Sequence, residues 1–111
     1  MKQMSYKEVA AKRDEMDLRI IDVREPDEYE DVHVKDVELF PLSKFEAGER
    51  PEDDGRPVAI ICRSGGRSAK ACQILETEGW DGECINVEGG TLAAIDVGEE
   101  EVVRDDTAPD V

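Results

Sequence analysis

At 111 residues the chain has room for one domain with a modest core and too little for two. Its 29 acidic residues against 14 basic ones give a formal charge of −15, a surface that nucleic acid and anionic membranes both repel. Such acidity favours solubility. It also suits hydration in concentrated salt, where the Debye length falls to about 3 Å at 1 M, so a halophilic source is expected.

The amino end, Met1-Lys2-Gln3-Met4-Ser5-Tyr6, has no apolar stretch of signal-peptide length. No window approaches the roughly 18 apolar residues of a membrane span, and the expected location is the cytoplasm. Cys62, Cys72 and Cys84 are odd in number and match no zinc-ligand spacing, with His33 the single histidine. Neither a disulfide scaffold nor a structural metal is expected.

Ser5-Tyr6-Lys7-Glu8 has the form of a capping box, and Tyr6, Val9 and Ala10 recur at helical spacing, which predicts a helix over about Ser5 to Met16. Leu18 to Val23 is short and β-branched and reads as a buried strand ending at Arg24. Glu25-Pro26-Asp27-Glu28-Tyr29 sets proline and acids at a first helical turn. Val37 to Phe40 predicts a short strand stopped by Pro41, Ser43 to Phe45 one helical turn, and Glu46 to Pro57 a polar loop.

Val58 to Ile61 reads as the central strand, Ala69 to Glu78 as a helix closed by Gly79, and Glu83 to Val87 as a further strand. Gly89-Gly90 breaks the chain before a short helix at Thr91 to Ile95. Alternating strands and helices predict an α/β domain with a mainly parallel sheet. The domain is expected over 4–97, followed at 98–111 by an acidic tail that is mobile or weakly docked.

The chemistry concentrates at Cys62-Arg63-Ser64-Gly65-Gly66-Arg67-Ser68, between the central strand and a helix start. A glycine-bearing loop there lets backbone N–H groups turn inward as donors around the sulfur, and the helix dipole, Arg63 and Arg67 add positive charge. All of these favour thiolate over thiol, so Cys62 is the expected nucleophile. A free cysteine at a strand end is ordinarily a small buried apolar residue. Two glycines, two serines and two arginines in the next six residues pack poorly and suit an anion. Cys72 and Cys84 read as buried inert thiols. His33 reads as a structural loop histidine, and Asp22, Arg24 and Glu28 as an ion-pair network near the site.

Asp22-Val23-Arg24-Glu25-Pro26-Asp27-Glu28-Tyr29, then His33, then the Cys62 to Ser68 loop, then Glu88-Gly89-Gly90 resemble in order and spacing the signature of single-domain rhodaneses. The likeness spans about Met4 to Ile95. It implies a rhodanese-like three-layer α/β fold, a five-stranded mainly parallel sheet flanked by helices. It also implies a Cys62 persulfide that moves sulfane sulfur from thiosulfate or another persulfide to a thiol, cyanide or protein acceptor, with no metal or organic cofactor.

In that frame Arg63, Ser64, Gly65, Gly66, Arg67 and Ser68 bind the small anionic donor. The six-residue loop from Cys62 to Arg67 is the length the family associates with sulfur transfer, while the related phosphatases and arsenate reductases carry one residue more. A sulfur-relay or regulatory protein-binding module is the alternative from another class. The chain departs from the family at His33-Val34-Lys35-Asp36-Val37, where His-Ile-Pro-Gly-Ala is usual, and at Ile95, where a tryptophan is common.

Overall fold

The central strands carry apolar side chains on both faces, the pattern of a sheet covered on two sides. The computed structural model describes residues 1–104. In chain order its elements are β1 (Lys2–Ser5), α1 (Tyr6–Lys12), β2 (Arg19–Asp22), α2 (Pro26–Asp31), β3 (Val32–Val34), β4 (Glu38–Leu39), α3 (Leu42–Glu46), β5 (Val58–Ile61), α4 (Gly66–Thr77), β6 (Cys84–Glu88), α5 (Gly90–Val97) and β7 (Val102–Arg104).

The main sheet has five strands in the order β1-β6-β5-β2-β4, and every pair in it is parallel. The period of two along each strand divides the core. Ile20, Ala59, Ile61, Ile85 and Val87 face Tyr6 and Val9 of α1 and Ala94 of α5. Ile21, Val58, Ile60 and Cys84 face Phe45 of α3 and Ala71, Cys72 and Leu75 of α4. The isoleucines at 21, 60, 61 and 85 are fully buried. Each contributes about 1.5–3 kcal/mol, so the sheet centre is its firmest part. Because neighbouring strands are parallel, the carboxyl ends of β2, β5 and β6 gather at one edge, where such folds form their sites.

The α/β sheet and its flanking helices match the fold expected from the sequence, with shifted boundaries. Ser5 caps α1 as a capping box, its hydroxyl accepting from Glu8 N while Glu8 accepts from Ser5 N, both at 3.2 Å. The helix stops at Lys12, short of Met16. Asp17 takes a left-handed φ of 50°, and Leu18 N donates to Arg13 O at 2.9 Å as the chain turns. Helix α4 starts at Gly66, three residues early, because the turn is completed inside the cysteine loop by Gly65 at φ 121°.

Three strands were not expected from the pattern, namely β1, β3 and β7. Within the stretch expected as an acidic tail, Glu99–Glu101 form a 3-10 turn, and β7 pairs antiparallel with β3 in a second, two-stranded sheet. Tyr6 Oη donates to Glu101 Oε1 at 2.7 Å, which ties this segment back to α1. Residues 105–111 of the expected tail lie outside the described residues.

Candidate active site

Cys62 stands one residue past β5, and the loop turns at once into α4, so the thiol lies beneath the helix N-terminus. Its side chain is buried, with 1% exposure. Gly65 N donates to Sγ at 3.1 Å, and the Ser68 hydroxyl lies 3.3 Å from it. Burial works against ionisation. The Ser68 hydroxyl and the backbone amides of Ser68, Gly65 and Ser64 outweigh it, and the thiol is held below its ordinary value.

The double glycine locks the loop from behind. Thr91 N donates to Cys62 O at 2.9 Å and Leu92 N to Arg63 O at 3.2 Å. A Cβ at Gly90 would collide with the carbonyl oxygens of Cys62 and Arg63, so only glycine lets α5 approach the loop this closely.

The two loop arginines differ. Arg67 forks onto Glu28 of α2, with Nη1 to Oε1 at 2.7 Å and Nη2 to Oε2 at 2.8 Å. That pairing carries Glu28 down to about 2. The Arg67 guanidinium, expected to meet an anionic donor, is paired with this carboxylate and ties α2 to the loop. Arg63 is exposed and lines a hollow of about 310 Å³ together with Arg24, Thr91, Leu92, Ile95 and Arg104. Ile95, at the position where tryptophan is common, forms part of this wall. Ser64 and Gly66 are exposed at the loop rim.

Asp22 and Arg24 form an ion pair, both buried, while Glu28, expected in the same network, pairs with Arg67. Arg24 Nη2 reaches Asp22 Oδ2 at 2.8 Å and Val32 O at 2.6 Å, which fixes the end of β2 against β3. Pairing and hydrogen bonding are what make a buried charge tolerable. His33 makes no hydrogen bond to Cys62. Its Nδ1 donates to Tyr29 O at 2.8 Å and its ring stacks on Tyr29 with centroids 3.8 Å apart. Asp36 takes a φ of 57° where the family pattern has glycine, a region aspartate tolerates, and its carbonyl accepts from Arg13. Cys72 and Cys84 sit in the apolar cluster on the α4 face of the sheet. Their shared hydrogen bond, and burial, push the Cys72 thiol up.

Two residues near the sulfur escaped the sequence reading. Asn86 Oδ1 accepts from Ser68 Oγ at 2.5 Å, and Asn86 Nδ2 donates to Gln3 Oε1 at 2.9 Å. The available signal was a lone amide inside the apolar run Cys84-Ile85-Asn86-Val87.

Comparisons agree with this architecture. A Synechocystis sp. protein is 38% identical over 74 residues, 67% of this chain, and this chain spans only 41% of that relative's length. A protein of Allochromatium vinosum called a sulfurtransferase is 37% identical over 82 residues, covering 72% of this chain and 74% of that one. The crystal structure of a Staphylococcus saprophyticus protein superposes with a TM-score of 0.76 at 28% identity, covering 94% of this chain and 100% of that one. The model of the rhodanese-like domain matches residues 5–94, and with the cysteine loop at the carboxyl edge of the parallel sheet the chain belongs to the rhodanese-like domain family.

Proposed function

We propose that the protein is a sulfurtransferase in which Cys62 carries sulfane sulfur as a persulfide. The observation that supports this best is the sulfur's setting, a thiol beneath the α4 N-terminus with Gly65 N and Ser68 Oγ both directed at Sγ. The Cys62 thiolate attacks the sulfane sulfur of thiosulfate. A new S–S bond forms at Sγ, the old bond breaks with its electron pair leaving on sulfite, and the outer persulfide sulfur keeps one negative charge. A thiolate acceptor, free, protein-borne or replaced by cyanide, then attacks that outer sulfur and returns the electron pair to Sγ. In both steps the loop N–H groups and the helix dipole stabilise sulfur anions without reorganising.

Arg63, exposed beside the hollow, draws the anionic donor in, and Ser64, Gly65, Gly66 and Arg67 shape the cradle around it. The hollow's apolar wall of Leu92 and Ile95 admits the acceptor. Three cysteines without a disulfide suit a reducing cytosol, and the acidic surface suits concentrated salt. The deciding measurement is intact mass after incubation with thiosulfate. A gain of about 32 Da, one sulfur atom, that is absent from Cys62→Ser is the expected result for a persulfide intermediate. Phosphate release from an ester without that gain would overturn the proposal in favour of phosphatase chemistry.

A further inference from the structure

Position 86 is where the sheet pattern calls for an apolar residue. Cys84, two residues earlier on the same face of β6, packs into the cluster beneath α4, and the flanking Ile85 and Val87 pack on the opposite face. Asn86 is nevertheless an amide, with 5% exposure. A buried amide costs free energy unless its hydrogen bonds are made, and here they are made in one direction. Gln3, the register partner of Asn86 across β1 and β6, accepts from Nδ2. That contact turns Oδ1 toward Ser68.

Ser68 has a single hydroxyl proton and three acceptors in reach: Asn86 Oδ1 at 2.5 Å, Gly65 O at 3.1 Å and Cys62 Sγ at 3.3 Å. When Sγ is a thiol, its S–H donates to Ser68 Oγ, whose own proton goes to Asn86. When Sγ is a thiolate, the sulfur needs that proton as a donor, and Asn86 loses it. In a persulfide the inner sulfur is uncharged again and the proton returns to Asn86.

We infer that Asn86 is a positioning residue that acts through Ser68, taking the hydroxyl proton in the states with an uncharged Sγ and releasing it to the thiolate, so that it favours the sulfur-loaded cysteine over the free thiolate. It rests on Cys62 being the sulfur-transfer nucleophile. Gln3 holds the amide in the orientation this requires. The charged groups around the thiol are Arg63 and Arg67 of the loop, Glu28 of α2, and Asp22 and Arg24 at the end of β2. None of them hydrogen-bonds Asn86, whose side chain contacts Ser68 and Gln3.

The test is the pH profile of Cys62 alkylation by iodoacetamide, followed by mass on the intact chain. Asn86→Leu keeps the branched heavy-atom skeleton and removes the acceptor. The inflection should move to lower pH, and alkylation on the acid limb should rise about two- to fourfold, since part of the gain in thiolate is offset by lower intrinsic nucleophilicity. Asn86→Asp keeps the acceptor and adds charge, so its inflection should stay or move to higher pH. In a Ser68→Ala background Asn86→Leu should leave the inflection where it is.

A shift of the same sign in Leu and Asp variants, no shift in Asn86→Leu, or an undiminished shift without Ser68 would overturn the inference. Persulfide loading is read separately. A Cys62 that gains no sulfur from thiosulfate while the alkylation pattern holds would remove the sulfur-transfer proposal and with it the loaded state, and leave only the effect of Asn86 on the balance of thiol and thiolate.

Discussion

Three thiols are buried in this protein to nearly the same degree, Cys62 at 1%, Cys72 at 0% and Cys84 at 2%, yet their surroundings differ. Cys72 and Cys84 sit among apolar side chains and hydrogen-bond to each other; that bond, and then burial, push the Cys72 thiol up, while the same bond holds Cys84 down. Cys62 meets the same desolvation, and the Gly65 amide and the Ser68 hydroxyl reverse its effect. Burial alone therefore does not predict reactivity. The donors brought to the sulfur decide it, and they exist only where the chain leaves a strand and turns into a helix.

The largest expected effect falls on the thiol itself. Cys62→Ser should lower sulfur transfer by at least about a thousandfold while far-UV dichroism stays unchanged, because a hydroxyl is nearly isosteric but a poor nucleophile at neutral pH. Removing one donor should be milder. Ser68→Ala is expected to slow Cys62 alkylation at pH 7 by about two- to fivefold, the proportion set by loss of a single hydroxyl donor to a thiolate. Faster alkylation would show that Ser68 shields the sulfur rather than stabilising its anion.

On the other side of the comparison, Cys72→Ser and Cys84→Ser should keep sulfur transfer within about twofold and lose about 1–2 kcal/mol in urea unfolding, the cost of a hydroxyl in an apolar cluster. If either variant were as inactive as Cys62→Ser, a second thiol would belong to the cycle and the contrast would collapse.

The smallest effect concerns charge rather than donors. Glu28 lies at about 2 in the folded chain against an ordinary 4.5, so its pairing with Arg67 stabilises the fold fully above pH 4.5 and is lost as pH falls toward 2. Both side chains are about one-third exposed, at 30% and 35%, which reduces the contribution to about 1 kcal/mol at pH 7. Glu28→Gln should be less stable by that amount at neutral pH, and the gap to the parent should close between pH 4.5 and 2 in acid titrations followed by fluorescence. A constant gap across that range would place the effect in packing.

Short-range grammar carried most of the fold. Ser5 and Glu8 marked the first helix because the capping box closes within four residues, and the apolar runs at 18–23 and 58–61 marked buried strands because a sheet covered on both faces needs no alternation. The same local logic isolated Cys62, since a strand end, two glycines and a helix start follow each other directly. The outer strands β1 and β7 gave no such signal, because they are only four and three residues long and their pairing partners supply the regularity.

The amino-acid sequence by itself thus determined the parallel α/β layout, the cysteine loop and the kind of chemistry that loop can support, all of which depend on residues a few positions apart. The tertiary structure alone decided which polar groups meet. Arg67 finds Glu28 across 39 positions, Ser68 finds Asn86 across 18, and Asn86 finds Gln3 across 83. Such partners follow from sheet register and from where α2 and α4 come to rest on the sheet, and a hydrogen bond is sensitive to tenths of an ångström that no periodicity encodes.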